Sequence, residues 1–205
     1  MFKLAVFVSG RGSNLLSIAD EIAAGNLMAE ISAVISNKND CKAVEFARNN
    51  GIKSFIVSEK VNDENSITYQ DLIVKLNDLK IDLIVLAGFL KKIPVDLIKT
   101  YKNRIINIHP ALLPSFGGKG MYGMNVHRAV FNSSAKVSGP TVHFVDEIYD
   151  NGKIIDQKAV DISDVQTPEE IAQRVLKIEH NLLPSVIKLF VEKKIRITEN
   201  RIYIH

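Results

Sequence analysis

This chain of 205 residues has a single cysteine, Cys41, so no internal disulfide can form. Cys41 stands where a helix should begin (Asn39-Asp40-Cys41-Lys42-Ala43), with no histidine beside it in sequence, and reads as a packing thiol. No apolar run approaches the roughly 18 residues that a membrane span requires. The opening Met1-Phe2-Lys3-Leu4-Ala5-Val6-Phe7-Val8 is too short for a signal peptide. A soluble, cytoplasmic protein of a reducing compartment is expected. Basic blocks are absent too: Lys91-Lys92 and Lys193-Lys194 are pairs, Lys119 is isolated, and 26 basic against 23 acidic residues leave a net charge of only +3. That balance indicates neither a nucleic-acid footprint nor a membrane surface, while anionic small substrates remain compatible with it. His127, His143, His180 and His205 show no metal-ligand spacing, so no metal is expected. No Gly-x-Ser-x-Gly elbow is present, which argues against a hydrolase-type serine triad.

With 46% hydrophobic residues the chain can bury a full core, and no linker, repeat or low-complexity stretch divides it, so one domain over residues 1–205 is expected. Residues 4–8, 31–36, 53–57, 83–87 and 105–108 are short, continuously apolar and rich in β-branched side chains, as parallel strands covered on both faces should be. Between them lie helical periodicities at 14–24, closed by Gly25, at 41–49, closed by Gly51, and at 66–79. This alternation predicts βαβ units and a parallel sheet. Later, 137–145 and 153–160 read as an antiparallel pair around Asp150-Asn151-Gly152, after a short helix at 126–131. Thr167-Pro168-Glu169-Glu170 then starts a last helix that reaches about residue 190, with a kink expected at Pro184.

Chemistry concentrates in three segments. Asn107-Ile108-His109-Pro110 ends an apolar strand with two polar side chains two positions apart, hence on one side of an extended backbone. A histidine can exchange a proton near neutral pH, and an asparagine can donate to a developing oxyanion, a pair suited to acyl or formyl transfer. Ser9-Gly10-Arg11-Gly12-Ser13-Asn14 joins the first strand to the first helix. It is readable as a phosphate loop with Arg11 in support, or as a tight turn capped by Ser13 or Asn14; it is neither the dinucleotide nor the P-loop pattern. Asp150, standing before Asn-Gly, is as readable as a turn former as it is as a catalyst.

Taken together, these segments resemble the phosphoribosylglycinamide formyltransferase family. So do Ser36-Asn37-Lys38, Leu86-Ala87-Gly88-Phe89-Leu90, Asn107 to Pro114, Val142 to Glu147 running on to Gly152, and Glu179-His180 before Pro184. The resemblance spans nearly the whole chain. It implies a Rossmann-like three-layer α/β sandwich, with a mostly parallel twisted sheet and antiparallel strands toward the C-terminal part. It implies transfer of a formyl group from 10-formyltetrahydrofolate to the glycinamide amine of a phosphoribosyl substrate in purine synthesis, with no metal. Asn107, His109 and Asp150 fall on the family's catalytic positions. Gly12, Ser13, Asn14 and Glu179 fall on positions for the phosphoribosylglycinamide. Leu90, Lys91, Lys92 and Ile93, with Asn107, Val145, Asp146, Glu147 and Asp150, fall on those around the formyl-folate. A phosphate and glycinamide half at about 1–100 and a folate and catalytic half at about 101–205 follow from it, as does a monomer or homodimer.

The chain departs from the family pattern at Gly117-Gly118-Lys119-Gly120-Met121-Tyr122-Gly123-Met124-Asn125, where a shorter Pro-Gly-Leu-His-type turn is familiar; the glycines imply a longer, mobile loop. Ser66 falls near a position where some members carry an arginine toward the folate tail. A tRNA formyltransferase would carry a further C-terminal domain, whereas fifteen residues follow Phe190. A formyl-folate hydrolase would carry an N-terminal one, whereas Leu4 already opens the first strand. Length therefore favours the glycinamide enzyme over another formyl-folate user or a non-catalytic folate-binding module.

Overall fold

The computed structural model describes residues 1–58 and 66–205. They fall into two compact units, Met1–Ile106 and Asn107–His205.

In the first unit, β1 (Phe2–Val8), β2 (Ala29–Ser36), β3 (Lys53–Val57), β4 (Ser66–Ile67) and β5 (Leu83–Leu86) pair in parallel in the order β4-β3-β2-β1-β5. The five residues Leu4 to Val8 of β1 are fully buried, as their unbroken apolar run requires of a strand covered on both faces. Helices α1 (Ser13–Ala23), α2 (Lys42–Asn49), α3 (Tyr69–Asp78) and α4 (Val95–Thr100) supply Leu15, Ile18, Val44, Leu72, Leu76 and Leu97 to the core. The chain moves outward from β1 through β2, β3 and β4, then returns to the other side of β1 as β5. The loops after β1 and β5 therefore lie at a topological switch point, where open α/β sheets keep ligand crevices.

The periodicity at 66–79 hides a boundary. Ser66 and Ile67 are strand, and Thr68 caps α3: its hydroxyl accepts the Asp71 N–H at 3.1 Å while the Asp71 carboxylate accepts the Thr68 N–H at 3.4 Å. Helix α4 follows Pro94 and is six residues long, too short to print a period.

Strand β6 (Ile105–His109) begins beside β5, where the Ile84 N–H donates to the Arg104 carbonyl at 2.9 Å, and its last three residues open the second unit. There the order is β6-β8-β9, with β8 (Thr141–Phe144) and β9 (Ile154–Gln157) antiparallel as expected. The longer strands expected at 137–145 and 153–160 each divide. Their outer parts, β7 (Val137–Ser138) and β10 (Val160–Asp161), form a separate antiparallel pair, because Pro140 lacks the N–H that would continue the ladder. Helices α5 (Met124–Asn132) and α6 (Pro168–Val191) pack Val126, Val130, Ile171 and Val175 around Ala111 and Ile162. Helix α6 starts as its sequence implies, with the Thr167 hydroxyl accepting the Glu170 N–H. It continues through Pro184, which lies fully inside the helix. A hairpin of β11 (Ile195–Ile197) and β12 (Ile202–Ile204) closes the unit, and the sequence reading placed no strand there.

Candidate active site

The second unit gathers the strand-end pair and the loop aspartate into one cluster. Period two turns Asn107 and His109 to the same side of β6, while Ile108 packs into the core opposite them. The turn after His109 is tied down by Thr141, which is fully buried on β8. Its hydroxyl donates to the Ala111 carbonyl at 2.6 Å and accepts the Leu113 N–H at 3.0 Å and Gln157 Nε2 at 2.8 Å. The Leu113-Pro114 peptide in this turn is cis. Two residues along β8, on the same face as Thr141, stands His143.

Asp150 comes from the β8–β9 connection with a left-handed backbone, φ 54°. Its Oδ2 lies 3.6 Å from His109 Nδ1 and its Oδ1 lies 3.7 Å from His143 Nε2. The Gly-rich run contributes through its backbone. The Phe116 carbonyl accepts from His109 Nε2 at 2.9 Å, and the Gly118 N–H donates to Asp150 Oδ2 at 2.8 Å. A side chain on Gly117 between them would have to shift its neighbours, since a Cβ there would stand 2.5 Å from Leu113 Cδ2 and 3.2 Å from Asp150 Cβ. The run also turns on itself, the Met121 N–H donating to the Gly118 carbonyl and Asn125 Nδ2 to the Gly120 carbonyl.

Proton positions follow from the acceptors. A carbonyl only accepts, so the proton of neutral His109 sits on Nε2 and its Nδ1 lone pair faces Asp150. Burial pushes the His109 pKa below its usual 6.5, opposed by the nearby Asp150 and by the Phe116 carbonyl. The resting ring is thus neutral at pH 7, and an imidazolium belongs to a state in which negative charge has come close. His143 is likewise pushed down by burial, against the Phe144 carbonyl and Asp150.

The remaining positions assigned by resemblance are dispersed within the two units. In the second, Glu179 is buried on α6, and Asp146 accepts the Ile148 N–H and Asn151 Nδ2, shaping the connection that carries Asp150; Val145 is partly buried and Glu147 exposed. In the first, Leu90, Lys91 and Lys92 are exposed and Ile93 is buried. In the segment 9–14 the left-handed Gly12 (φ 73°) is the N-cap of α1, and neither Ser13 nor Asn14 caps the helix. A Cβ on Gly12 would lie 2.7 Å from that of Ala43. The first turn of α1 carries no side-chain cap, and Arg11 is exposed just before it. Ser9 stitches this turn to its neighbours. Its hydroxyl donates to Asn37 Oδ1 at 2.6 Å and accepts the Leu90 N–H at 2.9 Å, and its N–H donates to the Gly88 carbonyl. Three of the motifs that carry the resemblance therefore meet through one hydroxyl.

Sequence reasoning missed three contributors: His143, set aside for lack of metal spacing; the Phe116 and Gly118 backbone groups; and His127. The last is buried on α5 with no hydrogen-bond partner for its Nδ1 among the described residues, and burial together with the charge of His109 pushes its pKa down to about 4. Only the Thr141-x-His143 alternation offered a signal, marking two polar side chains on one face of an apolar strand. Among the described residues no three His, Cys, Asp or Glu side chains gather as a metal site, and no helix is long and apolar enough to cross a membrane.

Comparison with known proteins places this geometry in context. The formyl transferase family model matches residues 2–187. A chloroplastic phosphoribosylglycinamide formyltransferase of Vigna unguiculata is 46% identical over 94% of the chain, which spans 62% of that relative's length. A phosphoribosylglycinamide formyltransferase of Bacillus subtilis is 40% identical, over 92% of this chain and 94% of its own. The crystal structure of glycinamide ribonucleotide transformylase 1 from Symbiobacterium toebii superposes with a TM-score of 0.89 at 33% identity, covering 100% of this chain and 94% of that one. That likeness carries the Rossmann-like, mostly parallel sandwich. A formyltetrahydrofolate deformylase from Pseudomonas syringae, 22% identical with a TM-score of 0.87, shares the fold alone.

Proposed function

Because this chain belongs to the phosphoribosylglycinamide formyltransferase family, we propose that it transfers the formyl group of 10-formyltetrahydrofolate to the amine of 5-phosphoribosylglycinamide, a step of de novo purine synthesis. The observation that carries the reading is the meeting of Asn107, His109 and Asp150 in one cluster, with His109 and Asp150 3.6 Å apart.

The amine attacks the formyl carbon, forming a C–N bond and moving the carbonyl electron pair onto oxygen. Asn107 donates an amide hydrogen to that oxyanion, and His109 donates Nε2–H once this proton exchanges the Phe116 carbonyl for the substrate oxygen. Each such donor contributes about 3 kcal/mol in comparable sites. As charge develops, His109 gains its second proton on Nδ1 opposite Asp150, so the carboxylate stabilises the imidazolium it faces. The proton leaving the attacking amine passes by way of Asp150 and His109 to the folate N10, the C–N10 bond breaks, and the electron pair on oxygen restores the carbonyl. No net proton is gained or lost. We assign the substrate phosphate to the N–H groups of Gly12, Ser13 and Asn14, its amine end to Glu179, and the pterin to 90–93 and 145–150. Residues 1–205 act in this reading as one formyltransferase domain with the folate as cosubstrate and without a metal, in the cytoplasm, as a monomer or homodimer.

The test is a spectrophotometric assay with a 10-formylfolate donor, with and without phosphoribosylglycinamide. Folate release that depends on the glycinamide is expected, and His109→Ala should lower kcat by about 10²-fold or more. Release without the acceptor would make the protein a hydrolase. Full activity of His109→Ala would overturn the catalytic assignment.

A further inference from the structure

His143 is a buried ring on β8 that the formyl-transfer scheme leaves idle. Its surroundings give it a defined state. Nδ1 lies 2.8 Å from the Phe144 carbonyl oxygen, which can only accept, so Nδ1 carries the proton and Nε2 presents a lone pair. Toward that lone pair, at 3.1 Å, points Asn107 Nδ2. The two groups match as acceptor and donor only in this tautomer. Burial, which holds His143 below the usual histidine range, keeps the lone pair available. The ring itself is locked, being 2% exposed.

We propose that His143 is a positioning residue for Asn107: by accepting one amide hydrogen on Nε2, it fixes the plane of the side chain and aims the second amide hydrogen at the oxyanion. The inference rests on the proposed oxyanion role of Asn107. An asparagine at a strand end rotates freely about its last torsion, and a donor that must be oriented during the reaction contributes less than one already oriented. Asn107 is only partly buried, and the contact of its Nδ2 with His143 Nε2 is what restrains its amide plane. Asp150 Oδ1, 3.7 Å from the same Nε2, stands beside the bond without replacing it, since a carboxylate cannot donate to a lone pair.

The deciding experiment is a double-mutant cycle read in single-turnover formyl transfer, with His143→Phe, Asn107→Ala and the double variant. Phenylalanine keeps the ring volume and removes the acceptor. His143→Phe should slow transfer about tenfold while leaving KM for the two substrates within about twofold, since orientation acts in the transition state. In the Asn107→Ala background the same change should have less than about a twofold effect. His143→Gln, whose Oε1 can accept the same hydrogen, should recover part of the rate. A His143→Phe protein that folds and transfers at the wild-type rate overturns the proposal. So does an effect of equal size with and without Asn107, which would mean that His143 acts elsewhere. If His143→Phe does not fold, the cycle with His143→Gln decides: a slowing that persists undiminished without Asn107 overturns the inference, and one confined to the Asn107 background supports it. Wild-type transfer by Asn107→Ala would instead refute the oxyanion reading on which the inference rests.

Discussion

Acid should destabilise this protein through a histidine that performs no chemistry. His127 is 6% exposed on α5, and its Nδ1 has no hydrogen-bond partner among the described residues. Burial is the main reason its pKa falls from 6.5 to about 4 in the folded protein, and the charge of His109 pushes the same way. The unfolded chain takes up a proton on this ring as pH falls through 6.5, whereas the folded chain resists until about pH 4. The neutral ring therefore contributes its full stability above pH 6.5; that contribution shrinks as pH falls and is gone below about pH 4. A gap of 6.5 − 4 = 2.5 pH units at about 1.4 kcal/mol each amounts to about 3 kcal/mol, roughly a fifth to three-fifths of the stability of an ordinary domain. Urea unfolding at fixed pH values from 7.5 down to 4, on the wild type and on His127→Phe, measures it. At about 2 kcal/mol per molar urea, the wild-type midpoint should drop by some 1.5 M more than the variant's across that range. His109 and His143 are also pushed down by burial and steepen both curves, so the difference between the two proteins reports His127 together with its coupling to His109. Equal losses in wild type and His127→Phe would refute the reasoning.

Two further substitutions probe the scaffold of the site. Thr141→Val keeps the shape of a fully buried side chain but strands the Ala111 carbonyl and the Leu113 N–H, so it should cost about 2–4 kcal/mol in urea unfolding and slow transfer by loosening the turn after His109; a loss under about 0.5 kcal/mol would show that the turn holds without it. Gly12→Ala places a Cβ 2.7 Å from that of Ala43 at a φ of 73°, so it should destabilise by about 1–3 kcal/mol and weaken affinity for the phosphorylated substrate; unchanged affinity in a folded variant would remove the phosphate from this turn.

What could be read in advance divides by range. The strands of the first unit were legible because burial on both faces leaves an unbroken apolar run, as in Leu4 to Val8. Asn107 and His109 were legible because a period of two and a proline place them, and both lie within one strand. The α3 boundary was written in the sequence as Thr68-x-x-Asp71 but masked by apolar spacing that continued across it. The role of His143 was not legible: its partner Asn107 lies 36 positions away, and the alternation with Thr141 marks a shared face but not what that face meets. Ser9 was hidden for the same reason, bridging Asn37 and Leu90 across 28 and 81 positions.

The Phe116 carbonyl and the Gly118 N–H were illegible for a stronger reason, since backbone groups have no residue identity. They hold the resting His109 tautomer and one oxygen of Asp150, yet truncating the Phe116 side chain leaves its carbonyl in place, and Gly118 has no side chain to remove. Gly117 is the position through which side-chain chemistry reaches them, because a Cβ there must displace Leu113 or Asp150. The glycines of this run thus serve the cluster in two ways, one by admitting close packing against Asp150 and the other by turning an N–H toward it. The composition of the loop is therefore tied to the chemistry of the aspartate as well as to the freedom of the chain.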